Sequence, residues 1–139
     1  MPSVHKLFRA PKKHVPMEEL GEARILGEFG LEGCAHGRAG STRQILLVDR
    51  ETLEAMGLSP GILRENITTA GLNVNNLAIG QRFRIGEALL EVTMVCTPCN
   101  QMEHIRPRLR KELWGRRGML CRVLEGGIIR PGELIEKLP

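Results

Sequence analysis

Gln81-Arg82-Phe83-Arg84-Ile85-Gly86-Glu87-Ala88-Leu89-Leu90-Glu91-Val92-Thr93-Met94-Val95 is the stretch that decides the fold. In its second half Leu90, Val92 and Met94 share one side of an extended chain, and Glu91 and Thr93 take the other. That two-residue period belongs to a half-buried strand. Gly86-Glu87 reads as the turn of a hairpin joining residues 81–85 to 88–95. Working outward, further short strands are predicted over 23–26, 44–48, 119–124 and 134–137. The 16 glycines and 8 prolines punctuate these segments as turns. Helices are few. Asp49 caps a segment over 50–56 that Gly57 ends; Ser59-Pro60 starts a second; residues 107–114, stopped by Gly115, form a third. No repeat and no strand–helix alternation of βαβ type is readable. The expected class is mainly β, a barrel or barrel-like sheet with a few short connecting helices, since closure removes the exposed edges of many short strands.

With 139 residues, 42% of them apolar, the chain fits one domain over 1–139 with an ordinary core. No apolar run approaches the roughly 20 residues of a membrane span. Residues 1–14 are basic but have no apolar segment behind them, unlike a secretion signal, so a cytoplasmic protein is expected. A net charge of +4 suits an anionic ligand. Nucleic acid is disfavoured, because aromatics are 3% of the chain and Tyr is absent, leaving few stacking platforms. The run Arg106, Arg108, Arg110, Lys111, Arg116, Arg117 reads as a solvated helix face followed by a turn.

Chemistry concentrates in three places. The first is Val95-Cys96-Thr97-Pro98-Cys99-Asn100. With Thr97 as cap and Pro98 at the first helical position, Cys99 falls second, beside unpaired N–H groups that favour its thiolate. Thiol–disulfide exchange, a zinc site from Cys96, Cys99, His104 and Cys121, and a single working cysteine at Cys99 all fit this spacing. Cys121, in an apolar run, reads as a small buried hydrophobe. The second place is the loop from Gly30 through Gly33, Cys34, His36, Gly37 and Gly40 to Arg43-Gln44. Its glycines allow either an anion-cradling concavity or a surface loop. The third is Arg64-Glu65-Asn66-Ile67. Arg64 offers a fork for phosphate, or an ion pair with Glu65.

Taken together and in this order, these pieces resemble the MOSC family, named for the C-terminal domain of molybdenum-cofactor sulfurases. The similarity runs from about residue 23 to 136. The family loop G-x-x-G-D-x-H-x-G corresponds to Gly30–Gly37, its Arg-Gln strand to Arg43-Gln44, and its E-N-I segment to Glu65-Asn66-Ile67 ending at Gly71. The hairpin leading to Pro-Cys corresponds to Gly80, Gly86 and Pro98-Cys99. The closing motif corresponds to Arg117-Gly118, Arg122-Val123-Leu124-Glu125-Gly126-Gly127 and Arg130-Pro131-Gly132-Glu133. The resemblance implies a MOSC-type β-barrel that binds the molybdenum cofactor (molybdopterin). Cys99 would ligate molybdenum or carry sulfur, Arg43 and Arg64 would hold the phosphate, and His36, Gln44 and Asn66 would be polar contacts. It further implies reduction of N-hydroxylated small compounds with electrons from a separate redox protein. The alternatives are a persulfide or cofactor carrier served by a sulfur donor, and a zinc or dithiol module. Two departures stand out: Cys34 replaces the loop Asp, and Glu133 replaces the final Asp.

Overall fold

The computed structural model describes residues 1–139. Its main sheet has eight strands. In spatial order they are β11 (Ile135–Lys137), β7 (Arg82–Ile85), β8 (Ala88–Val95), β9 (Met119–Glu125), β5 (Ile45–Asp49), β6 (Ile67–Ala70), β1 (Ser3–Arg9) and β2 (Glu18–Leu20). The sheet curls until its ends meet. The Val4 N–H donates to the Glu133 carbonyl at 2.9 Å, Gly132 N–H to Val4 O at 2.7 Å, and Ile135 N–H to Pro2 O at 2.9 Å. A smaller sheet of β10 (Gly127–Ile129), β3 (Ala23–Leu26) and β4 (Gly30–Leu31) packs Ala23, Ile25, Leu31 and Ile129 into the same core. The mainly β, barrel-like class stands.

The central hairpin forms in the expected register, with Phe83 opposite Leu90 and Ile85 opposite Ala88. Alternation sorts its side chains as far as Val92, and Phe83, Ile85, Leu90 and Val92 enter the inner core. Met94, expected on the same face, packs instead against the outer cluster, because the register shifts between Val92 and Met94. Strand β5 is buried on both faces. Ile45 and Leu47 point into the barrel, while Leu46 and Val48 point out into a second cluster with Leu53, Leu63, Cys96, Met102, Leu109 and Leu120. The outer cluster exists because the segment between β8 and β9 folds back over the barrel wall and buries its apolar residues there.

Three expectations need correction. Strands β5 and β6 pair in parallel and are joined through α1 (Arg50–Ala55), so one βαβ crossover is present after all. Strand β6 is only four residues long and two of them are Thr, too short a pattern to register. Strand β1 lies in the basic N-terminus, where a bulge between Val4 and Lys6 breaks the two-residue period. The helix expected over 107–114 shrinks to α2 (Leu109–Glu112), because Arg108 sits in the left-handed region at φ 70. Glu103 accepts from the N–H groups of Arg108 and Arg110, each at 2.9 Å. No regular helix forms after Ser59-Pro60, where the chain makes only turns. Helix α1 forms as expected, with Asp49 accepting from the Thr52 N–H at 3.1 Å. Gly57 ends it at φ 68, a left-handed position that suits glycine.

Candidate functional site

Strand β8 delivers the chain to Cys96 and Cys99, and the two thiols part company there. Cys96 is buried in the outer cluster, and its N–H donates to Gly118 O at 3.0 Å. Cys99 is exposed. The expected helical placement of Cys99 is corrected. Residues 97–99 stay extended, and Cys99 (φ −121, ψ 176) only caps a 3-10 helix over Asn100–His104, its carbonyl accepting from Met102 N–H. A β-favouring geometry before and through Pro98 delays the helix by two residues. All four cysteines are free, and Cys99 alone is exposed. The four-ligand zinc set does not converge: Cys121 lies inside the barrel and Cys96 outside it. Burial pushes the Cys121 thiol far above its ordinary value.

The glycine loop is seated by buried amides. The Gln44 side chain accepts from Val123 N–H at 2.9 Å and donates to Arg38 O at 3.1 Å, pinning the loop to the barrel. Glycine is required at Gly30, at φ 127, where a Cβ would fall 2.9 Å from Gln44 O. Asn66 accepts from Leu46 N–H at 3.0 Å and donates to Phe8 O and to the Cys34 sulfur, both at 3.3 Å. Cys34 also accepts from Ala10 N–H at 3.3 Å. Burial works to raise its pKa, but the His36 side chain, the Ala10 and His36 N–H groups and the Asn66 amide outweigh it, bringing the thiol down to about 7. Gln44 and Asn66 are both 1% exposed, so what they hold is the loop's seat. His36 is half-buried beside Cys34.

The motif arginines Arg43 and Arg64 sit in different surroundings. The Thr93 hydroxyl donates to Thr42 O, which lays Arg43 along the end of β8 with its guanidinium 3.9 Å from Met94 sulfur. Arg43 is exposed and makes no ion pair. Arg64 sits at φ 63, and its guanidinium donates to Val15 O and, at 3.5 Å, to Lys12 O. It lines a cleft of roughly 750 Å³ with Phe8, His14, Met17, Gln101 and His104. The far wall is thus the 3-10 helix that follows Cys99, while Cys99 itself does not line the cleft. Arg64 does not pair with Glu65. That carboxylate is fully buried and accepts from Gly61 N–H and the Thr68 hydroxyl, both at 2.8 Å.

A MOSC domain model matches residues 35–136. The chain belongs to the MOSC domain family. Such domains are associated with the molybdenum cofactor. YflK of Bacillus subtilis (strain 168) is 35% identical over 85 residues, 58% of this chain and 38% of its own length, so the chain spans well under half of that relative. Among solved structures, YuaD of Bacillus subtilis superposes with a TM-score of 0.81 at 22% identity, covering 99% of this chain and 96% of that one. YiiM of Geobacillus stearothermophilus gives 0.80 at 22%, over 100% and 76%. YiiM of Escherichia coli gives 0.72 at 23%, over 99% and 68%. At these identities the superpositions speak for the fold. No helix of the MOSC domain is long and apolar enough to cross a membrane.

One residue of this MOSC domain was misread from sequence. Arg117 does not share the solvated face of its neighbours. It is 7% exposed, and its Nε and Nη1 have no hydrogen-bond partner. It precedes Gly118, whose carbonyl holds Cys96, so it lies one strand from the Pro98-Cys99 end. The available signal was its place in the Arg-Gly motif, which the surrounding charge run concealed. A buried guanidinium without an acceptor is costly and suits an anion supplied from outside the chain. Together with the unpaired Arg43 and the exposed soft thiol of Cys99, it fits the donor set of a phosphorylated, sulfur-ligating cofactor.

Proposed function

We propose that this MOSC domain binds the molybdenum cofactor, with Cys99 as the protein's sulfur ligand or sulfur carrier. One observation carries the reading: of four free thiols, only Cys99 faces solvent, and the motif arginines Arg43 and Arg117 have no acidic partner. Arg43 and Arg117 would hold the anionic phosphate. Arg64, engaged with the carbonyls of residues 12 and 15, would shape the cleft wall and present its remaining N–H groups. Gln44 and Asn66 act behind the surface, fixing the loop that carries His36. When bound, the cofactor supplies two-electron redox chemistry. The chain's part is to anchor, orient and partly enclose it. The proposed reaction is reduction of small N-hydroxylated compounds with electrons from a separate protein.

A carrier role is the second reading. Its support is that Cys96, the nearest thiol in sequence, is buried, leaving no exposed cysteine beside Cys99 to resolve a persulfide. The test is molybdenum and pterin content per chain, in protein purified anaerobically from a cofactor-producing host, for the wild type and Cys99→Ala. Near-stoichiometric cofactor in the wild type and its loss in the variant supports ligation. No cofactor in either, with a reductant-removable sulfur adduct of about 32 Da on Cys99, supports the carrier. Cofactor retained in Cys99→Ala overturns the assignment of Cys99.

A further inference from the structure

The charge of the chain is collected in one segment. Residues 100–117 hold Arg106, Arg108, Arg110, Lys111, Arg116 and Arg117 against Glu103 and Glu112, an excess of four positive charges. That equals the +4 of the whole chain, so the remainder balances to zero. Folding turns all of this excess but the buried Arg117 outward. Leu109 and Leu113 of the α2 region are buried in the outer cluster, and their burial forces Arg108, Arg110, Lys111 and Trp114 to the exposed side.

The two acids offset only part of this charge. Glu103 is engaged by the backbone N–H groups of Arg108 and Arg110, and Glu112 pairs with Arg106 at 3.3 Å. Arg108, Arg110, Lys111 and Arg116 make no ion pair. Trp114, the only Trp of the chain, is 68% exposed among them, and with Asn100, Glu103, Arg108, Arg110 and Lys111 it borders a shallow concavity that is basic on balance. The patch reaches the site directly. The Arg110 guanidinium donates to the Asn100 side chain, one residue from Cys99.

We propose that this Trp114-centred basic face docks an acidic electron-donor protein beside Cys99. The inference rests on the reading of Cys99 as the working residue and adds where its partner lands. Trp and Arg are the residue types that anchor protein interfaces, and a single-sign field steers an oppositely charged partner to its mark. RNA is disfavoured because one indole is a poor base-stacking platform. A bilayer is disfavoured because the leucines of α2 are already committed to the core and leave no apolar helix face.

The test is a binding titration with a plant-type [2Fe–2S] ferredoxin as the acidic probe, in low and moderate salt. It compares the wild type, Trp114→Ala, the double variant Arg110→Glu/Lys111→Glu, and Lys137→Glu on β11 as a remote charge control. Matching circular dichroism spectra and melting curves establish that each variant folds. The expected result is binding that weakens as salt rises, falls at least about tenfold in the double variant, falls in Trp114→Ala, and stays within about twofold in Lys137→Glu. No binding, binding unaffected by the double reversal, or tighter binding to single-stranded RNA or phosphatidylserine vesicles overturns the proposal. Repeating the titration in Cys99→Ala separates the two claims. Unchanged binding there leaves the docking face standing even if Cys99 proves not to ligate the cofactor.

Discussion

The Asn66 side-chain amide donates to the Cys34 sulfur across 3.3 Å, and the same amide group reaches Phe8 O while its oxygen takes the Leu46 N–H. One buried residue therefore ties β1, β5 and the glycine loop together, with a thiol at the join. The surroundings of Cys34 present N–H donors, which serve an anion better than a neutral thiol.

That arrangement sets a pH dependence. Burial opposes ionisation of Cys34, but the N–H donors prevail and hold its pKa at about 7, below the ordinary value near 8.5. A depressed folded pKa stabilises the ionised form. The contribution is full above the unfolded value and is lost as pH falls through about 7. Stability measured by denaturant between pH 6.5 and 9 should therefore rise with pH by roughly 1–2 kcal/mol from this group. Cys34→Ala should flatten the rise. Cys34→Asp should keep the loop, because a carboxylate accepts the same donors. A flat wild-type profile over that range would remove the thiolate from the picture.

Asn66→Ala should be among the costlier single changes. It leaves Leu46 N–H and Phe8 O without their side-chain partner in a fully buried place, at about 1–3 kcal/mol for each orphaned group. Urea unfolding measures it, and a loss under about 1 kcal/mol would show that water replaces the amide.

How much of this was readable in advance depends on where the signal sat. The hairpin at Gly86, the Asp49 cap and the inward Leu90 and Val92 of β8 are local patterns, and they were legible, whereas the bulge that sends Met94 to the outer cluster was not. The Cys99 and Arg43 positions came from motif order. Strand β1 was hidden by its bulge and β6 by its brevity, since four residues do not carry a period. Arg117 was hidden for a different reason: charge patterning describes neighbours in sequence, whereas burial depends on which strand lies alongside. The roles of Gln44 and Asn66 as loop supports depend on partners tens of residues away, such as Val123 and Phe8, which spacing cannot reveal.

Thiol accessibility gives a fast check on the site. Native protein should react with Ellman's reagent at one thiol per chain in the first phase, and at four after denaturation, since three cysteines are buried. Cys99→Ala should abolish the fast phase. A persisting fast thiol would show that the wall around Cys34 or Cys96 opens, and mass mapping of the adduct would name which.

Arg117→Met separates stability from binding. In the cofactor-free protein, a buried guanidinium with no acceptor at Nε or Nη1 costs desolvation that nothing in the chain repays. An apolar side chain of similar length should be neutral or stabilising by about 1–3 kcal/mol. Phosphate binding should suffer, because Met offers no donor to an oxyanion. The expected outcome is therefore a melting temperature at or above that of the wild type, with pterin content per chain reduced at least about tenfold, as loss of a charged hydrogen-bonding partner implies. A clear drop in melting temperature of the cofactor-free variant would mean that the guanidinium is held by ordered water as part of the fold, and Arg43 would then carry the phosphate alone.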